Sequence, residues 1–225
     1  MMIAIDIETV GNPEAVALMP TPEVKTGNTK DPAKIAEKVA EAKREMFEKA
    51  ALDPLTARVV CYSMVGLVNP GPEGQQEHVD IVQSLDDAAE RTLLQSILRV
   101  LGGEDVRIVT WNGIGFDLPM IYKRAMILGA DPANFGAPPL TAWTAKYKTD
   151  RHYDLMQIWG GWRDYVKLDT VARMVLGSRK TEFDVTTIAD LIATPEGRGK
   201  VAEYCLQDTR LTWGLFQKFT GFLFA

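Results

Sequence analysis

Residues 3–8 read Ile3-Ala4-Ile5-Asp6-Ile7-Glu8, and this run decides the fold. Short-range apolar alternation ending in acids is the pattern of a strand. Side chains alternate faces along a strand, so Asp6 and Glu8 point to the same side of a sheet. Two carboxylates on one face of a buried strand repel each other and lose hydration. A divalent cation between them removes that penalty, and a solvated position at the strand end avoids it. The spacing alone does not choose. Its place straight after an apolar strand, at the sixth residue, favours the cation.

Working outward, Gly11–Asn28 is rich in Pro, Thr and Gly and reads as a long loop. Pro32–Leu52 is a charged, alanine-rich helix with a weak stripe of Ile35, Val39, Met46 and Phe47. Asp31-Pro32 starts it and Asp53-Pro54 stops it. Val59–Val68 is a buried strand, Pro70-Gly71-Pro72 turns the chain, and His78–Val82 returns as an antiparallel partner. Asp86 or Asp87 caps a helix to about Leu101, with Leu93, Leu94 and Ile97 inward, and Gly102-Gly103 ends it. Val106–Trp111 is a further strand, broken by Asn112-Gly113. A helix follows from about Leu118 to Leu128. Asp131–Tyr147 reads as irregular. Helices then cover about 155–162, 168–176, 185–192 and 195–219. Strands first and helices last give an α/β fold: a mixed central sheet flanked by helices, with a helical C-terminal half.

The chain has 225 residues, 46% hydrophobic and 24% charged, which excludes wholesale disorder and fits one domain over 1–225. No uncharged stretch is long enough to span a bilayer, and the acid at Asp6 argues against a signal peptide. Cys61 and Cys205 form no spacing motif, so a reduced, cytoplasmic setting without a membrane partner is expected. Two histidines exclude a His-rich metal centre. A net charge of −5 argues against sequence-independent coating of duplex DNA. It leaves room for a nuclease whose acids hold cations in a cleft.

Two more segments carry chemistry. In Trp111-Asn112-Gly113-Ile114-Gly115-Phe116-Asp117-Leu118-Pro119, Asp117 stands where a strand gives way to a helix. Locally it reads equally well as a helix cap, and Phe116 as a core residue. In Tyr204-Cys205-Leu206-Gln207-Asp208, Tyr and Asp share a face of the last helix. Tyr165 and Asp169 have the same spacing, so spacing alone does not select the pair.

Taken in order, Asp-x-Glu, Asn-x-x-x-Phe-Asp and Tyr-x-x-x-Asp resemble the DEDD superfamily of 3′–5′ exonucleases in its tyrosine branch. The pattern is similar to the proofreading exonuclease domains of family-B DNA polymerases and their stand-alone relatives. The likeness runs from Ile3 to about Leu215. It includes the Asn112–Arg124 run, His152-x-Asp154-Leu155, and Tyr204–Thr212. A histidine branch member would carry His five residues before Asp208, where this chain has Glu203.

The resemblance implies a ribonuclease H-like fold with residues 20–57 as a loop and helix insertion. It implies two divalent cations, Mg²⁺ or Mn²⁺, held by Asp6, Glu8, Asp117 and Asp208. Such a pair activates a water and neutralises the charge that develops on phosphate. By the same match Asp6 bridges both ions, Glu8 and Asp208 complete the nucleophile side, and Asp117 serves the leaving-group side. Tyr204 orients the water, and Thr9, Asn112 and Phe116 contact the terminal nucleotide, Phe116 by stacking. Asp154 matches a position that is no ligand and reads as a helix cap. Lys167, Arg179 and Lys180 either reach phosphates or form a solvated face. The expected substrate is the 3′ end of a single strand, DNA rather than RNA, cut either by a free-standing exonuclease or by a proofreading subunit working in trans beside a DNA polymerase. Two alternatives stay open: a 3′–5′ exoribonuclease, and a non-catalytic scaffold that binds a polymerase. The presence of all four acids argues against the last.

Overall fold

The computed structural model describes residues 1–25, 31–67, 75–145, 148–161 and 164–224. The expected turn at Pro70–Pro72 lies outside them. A five-stranded sheet has the order β3-β2-β1-β4-β5. Its strands are β1 (Met2–Gly11), β2 (Ala57–Leu67), β3 (Gln76–Ile81), β4 (Arg107–Thr110) and β5 (His152–Asp154). β1 runs antiparallel to β2 and parallel to β4, while β3 and β5 extend these pairings outward, antiparallel and parallel. The sheet is therefore mixed, with the acidic strand at its centre.

The alternation of β1 sorts the two layers. Ile3, Ile5 and Ile7 pack against Leu93, Leu94 and Ile97 of α3 (Asp87–Leu101) and Leu118 and Ile121 of α4 (Asp117–Ile127). Ala4 faces the other way, into a cluster with Leu206, Leu211 and Leu215. Those three leucines belong to the long C-terminal helix, Pro195–Phe219, which Thr194 caps through the Gly197 N–H with Pro195 at the first helical position. This period-2 switch puts Asp6 and Glu8 on the side of that helix.

The remaining helices are α1 (Pro13–Ala17), α2 (Pro32–Glu48), α5 (Leu140–Trp143), α6 (Leu155–Gly160), α7 (Leu168–Leu176) and α8 (Ile188–Ile192), so the C-terminal helix is α9. Helices occupy the chain after β5, as expected. Several bounds differ from the sequence reading. Inside the expected loop after Gly11, Asn12 caps α1 through the N–H groups of Glu14 and Ala15. The helix expected to reach Leu52 ends at Glu48, and a 3₁₀ turn over Ala50–Leu52 finishes it. The stretch expected to be irregular contains a 3₁₀ turn at Pro132–Phe135 and α5. β5 was not anticipated: three residues are too few to display an alternation, and the strand exists through its pairing with β4. Among the described residues no helix is long and apolar enough to cross a membrane.

Candidate active site

Close approach of α9 to the sheet builds one wall. Asp6 sits opposite Ser63 of β2 in the ladder. The Ser63 hydroxyl lies 3.3 Å from the Cys205 thiol, and that thiol is 3.6 Å from the Asp6 carbonyl. Thr209 returns its hydroxyl to the Cys205 carbonyl at 3.1 Å. Small side chains at the contact let the helix come near enough to present Asp208 to β1. Potential ligand atoms of Asp6, Glu8 and Cys205 lie within 4.8 Å of one another. Just past Glu8 a register shift between β1 and β2 turns the strand before Thr9.

The loop after β4 brings in Asp117. Asn112 has φ of 71°, a left-handed conformation that Asn tolerates better than most residues. Its carbonyl accepts the N–H groups of Gly115 and Phe116, closing a tight turn. A side chain at Gly113 would collide with Thr110 Oγ1 at 2.3 Å. The Thr110 hydroxyl accepts from Gly113 N–H and lies 2.8 Å from His152 Nε2, while His152 Nδ1 is 2.8 Å from the Trp143 carbonyl. Asp154 accepts the N–H groups of Asn112, Ile114 and Gln157, so it caps α6 and pins the loop together. Asp117 is the first residue of α4, after Phe116 at the cap position, and its carboxylate is not the cap.

Asp6, Glu8, Asp117 and Asp208 line one cleft of about 590 Å³, with Asn112, Phe116, Lys180 and Tyr204. Burial first, then the charges of Asp117, Asp208 and Glu8, hold the Asp6 carboxyl well above the usual range. Burial and Asp208 push Glu8 up to about 8. Burial pushes Asp117 up to about 7, although backbone N–H groups, its own and that of Ile7, work against the shift. Burial also raises Asp208, against the opposing pull of Lys180. Four acids this close in a largely buried cleft cannot all ionise readily unless positive charge joins them.

The protein supplies one such charge. Lys180 pairs with Asp208 and donates to the Tyr204 hydroxyl at 3.0 Å. Burial disfavours its ammonium, but the carboxylate of Asp208 more than offsets this and raises its pKa. Tyr204 stacks on Phe183 with centroids 4.3 Å apart, and burial and Asp208 push its phenol up to about 12. The other oxygen of Asp208, Oδ1, is buried and has no hydrogen-bond partner among the described residues. An orphaned carboxylate oxygen among hard oxygen donors suits a hard divalent cation.

The structure thus gathers every acid singled out in the sequence, together with Tyr204, Asn112 and Phe116. Thr9 stands beside the cleft, and its hydroxyl donates to the Ala51 carbonyl at 2.7 Å, leaving only its lone pairs for substrate. Tyr165 and Asp169 also line the cleft. Tyr165 is 72% exposed, and Asp169 is engaged by Arg173 and by the Lys180 N–H. Lys180, one of three basic residues left undecided between phosphate and solvent, sits in the cleft, as does Lys167. Arg124, at the end of the Asn112 run, points away from the cleft and makes a bidentate pair with buried Glu90.

A family model described as "Predicted 3′–5′ exonuclease related to the exonuclease domain of PolB" matches residues 52–223. A DNA polymerase of Thermococcus litoralis is 28% identical over 193 residues, covering 79% of this chain and 10% of the polymerase. DNA polymerase 1 of Aeropyrum pernix is 31% identical over 152 residues, 63% of this chain and 14% of that one. The Epstein–Barr virus DNA polymerase catalytic subunit is 28% identical over 169 residues, 65% of this chain and 17% of its own. The chain therefore spans under a fifth of these relatives' length. In fold it superposes on the family B DNA polymerase of Pyrobaculum calidifontis with a TM-score of 0.60 at 21% identity, covering 97% of this chain and 24% of that one. The ribonuclease H-like α/β architecture expected from the sequence is the one found.

Proposed function

The chain belongs to the family of predicted 3′–5′ exonucleases related to the exonuclease domain of PolB, and from that premise we propose that it removes nucleotides from the 3′ end of single-stranded DNA. The observation that carries this is the convergence of four carboxylates on a single cleft, with Glu8, Asp117 and Asp208 buried, Asp6 half-buried and one oxygen of Asp208 unpartnered among the described residues. Asp6, Glu8, Asp117 and Asp208 would hold the divalent cations, Mg²⁺ or Mn²⁺ by the hardness of the donors. When bound, such cations supply a water of lowered pKa and positive charge beside the phosphate.

The chain's own groups do the rest. Tyr204, neutral far above pH 7, hydrogen-bonds the attacking water and orients it; a phenol raised to about 12 is no general base. The water oxygen joins phosphorus and the bond to the upstream 3′ oxygen breaks. The products are a nucleoside 5′-monophosphate and a strand shortened by one. Lys180 balances Asp208 and stands within reach of a phosphate in the cleft. Phe116 offers a stacking face and Asn112 a polar contact for the terminal nucleotide, with Thr9 at the margin.

DNA is favoured over RNA because the relatives carry the name DNA polymerase, and a polymerase is the natural source of frayed 3′ ends. The test is hydrolysis of 5′-labelled DNA and RNA oligonucleotides with Mg²⁺, with Mn²⁺ and with excess chelator. A ladder shortening one nucleotide at a time on DNA, abolished by chelator and by Asp6→Asn, is the expected result. Cleavage that persists in chelator overturns the mechanism. Faster trimming of RNA reassigns the substrate, and metal-dependent binding without cleavage favours the scaffold reading.

A further inference from the structure

The loop over residues 112–116 joins β4 to α4, carries Asn112 and Phe116, and ends at Asp117. Each of its five backbone N–H groups has an acceptor. Those of Asn112 and Ile114 go to the Asp154 carboxylate at 3.2 and 2.9 Å, and those of Gly115 and Phe116 to the Asn112 carbonyl at 3.1 and 2.9 Å. Carboxylates and carbonyls accept without being turned. The Gly113 N–H goes instead to the Thr110 hydroxyl at 3.0 Å, and a hydroxyl accepts in a fixed direction only when its own proton is committed elsewhere. The Gly113 carbonyl takes the Leu118 N–H at 3.0 Å, in the first turn of α4. Gly113 therefore links Thr110 to the start of the helix that presents Asp117.

His152 commits the Thr110 proton. Both side chains are buried. The Trp143 carbonyl lies 2.8 Å from His152 Nδ1 and can only accept, so Nδ1 carries the proton. Burial holds the imidazole below its ordinary pKa, which keeps the ring neutral and Nε2 bare. That bare Nε2, 2.8 Å from Thr110 Oγ1, accepts the hydroxyl proton and leaves the hydroxyl's lone pairs for Gly113. The result is a chain of one direction: Gly113 N–H to Thr110, Thr110 O–H to His152, His152 N–H to Trp143. Its far end is fixed as well, since Trp143 Nε1 donates to the Tyr122 hydroxyl at 2.8 Å and that hydroxyl to the Pro138 carbonyl at 2.5 Å. β5 thus supplies two anchors of the loop, His152 and Asp154, from alternate positions on one face.

We propose that His152 is a positioning residue for the cleft: its neutral Nδ1–H tautomer orients the Thr110 hydroxyl, and that orientation holds the 112–116 loop and Asp117 in place. The inference rests on the exonuclease reading above, in which this loop carries Asn112, Phe116 and Asp117. His152 is not among the residues that line the cleft and acts only through Thr110. The contact has no slack. Gly113 packs so closely on Thr110 that an added Cβ would collide with its side chain, so no water fits between them to replace the hydroxyl. Asn112 beside it already holds a left-handed φ of 71°. A Gly113 N–H that loses its acceptor therefore displaces the loop, and the start of α4 moves with it.

The test uses two substitutions that each keep half of the imidazole. His152→Asn offers an amide N–H near the Nδ1 position to the Trp143 carbonyl and leaves Thr110 without an acceptor. His152→Gln brings an amide oxygen near the Nε2 position for Thr110 and leaves the Trp143 carbonyl unpaired. Each loses one buried hydrogen bond, so a purely structural histidine would give equal melts and equal rates. The relay gives similar melts and unequal rates: on a 5′-labelled DNA oligonucleotide His152→Asn should lower kcat about 10- to 100-fold, and His152→Gln less than about threefold. Thr110→Val should copy His152→Asn, and Thr110→Ser should restore the rate. Hydrogen exchange of the Gly113 amide, read by NMR in chelator, should quicken in the Asn and Val variants and stay slow in the Gln and Ser variants. Equal behaviour of His152→Asn and His152→Gln overturns the proposal. If neither folds, nitrogen NMR of the wild-type ring decides, and a proton on Nε2 in place of Nδ1 overturns it. If the wild type cleaves no DNA, the exonuclease reading fails, while the tautomer and the Gly113 exchange still decide the relay.

Discussion

The ammonium of Lys180 donates to the hydroxyl of Tyr204 at 3.0 Å and pairs with the carboxylate of Asp208 in the same cleft. One cation therefore ties the segment after α7 to two functional positions on α9. Its backbone is held as well: Lys180 N–H reaches Asp169, and Thr181 N–H reaches Gln207. A side chain this constrained is part of the site's electrostatics, and its removal has a calculable direction.

Lys180→Met keeps much of the aliphatic length and deletes the charge. Among the described residues lining the cleft, Lys167 is then the one base left beside Asp208, Asp6 and Glu8. The metal-free protein should lose about 1–3 kcal/mol, less than for a fully buried pair because Lys180 is partly solvated. Cleavage should slow as Tyr204 loses the donor that orients it. Thermal melts in chelator and single-turnover rates check both. A variant as stable and as fast as wild type would show that the pair is idle.

The acid cleft sets a pH dependence with a definite sign. Glu8 is raised from 4.5 to about 8 and Asp117 from 3.8 to about 7 in the metal-free fold. Between those limits the folded state holds protons that the unfolded chain has released. Their contribution is therefore fully present below about pH 4 and is lost as pH rises through about 8. In chelator, Tm should fall over that window. Mn²⁺ or Mg²⁺, which bind the ionised carboxylates of the folded state, should raise Tm more at the alkaline end. Asp6→Asn should remove most of the metal-linked gain along with activity. A metal-induced rise in Tm that is the same at both ends of the window would contradict the shared-cation reading.

Asp154 provides a test of positioning. Its carboxylate takes three N–H groups, two from the loop that carries Asn112 and one from α6. Asp154→Ala leaves those donors without a partner in a buried place and should cost about 2–4 kcal/mol. Asp154→Asn keeps one acceptor oxygen and should cost less. Because the same loop leads to Asp117, the alanine variant should also weaken metal-linked stabilisation. Calorimetric metal titration of both variants separates that effect from simple destabilisation. Unchanged metal affinity in Asp154→Ala would confine the residue to capping α6.

The period of two, shown by Ile3, Ile5 and Ile7, put Asp6 and Glu8 on one face of the first strand, whereas Asp117 and Asp208 were singled out only by the order of motifs that carries the family resemblance. α9 was legible to its bounds, as a last helix from about Pro195 to Phe219. Lys180 was legible only as one of three bases, with Lys167 and Arg179, undecided between phosphate and solvent: it lies on a loop with no periodicity, and the packing of that loop against α9 brings it into the cleft. β5 was hidden because its existence depends on β4 and not on its own three residues. Asn112 carried two readings: Asn112-Gly113 as the break after the strand, which its φ of 71° fits, and a substrate contact that only the resemblance implies.

The choice between Tyr204 and Tyr165 closes the mechanism. Both line the cleft and both have Asp four residues on, so proximity does not separate them. Their surroundings differ. Tyr204 stacks on Phe183, accepts from Lys180 and stands on the helix whose Asp208 keeps a buried, unpartnered oxygen. Tyr165 is largely exposed, and its Asp169 is already committed to Arg173 and a backbone N–H. A phenol that orients a water needs a fixed ring and a defined partner, which Tyr204 has. Tyr204→Phe should therefore lower kcat by about 10- to 1,000-fold, the range for lost positioning and proton-handling groups. Metal-linked stabilisation should persist, since all four acids remain. Tyr165→Phe should leave kcat close to wild type, and Tyr165→Ala should raise KM if the strand passes that rim. Rapid-quench measurements on a 5′-labelled oligonucleotide read kcat apart from binding. The opposite outcome, a crippled Tyr165→Phe beside a normal Tyr204→Phe, would move the nucleophile's partner to the other helix and take the fourth carboxylate from Asp208 to Asp169.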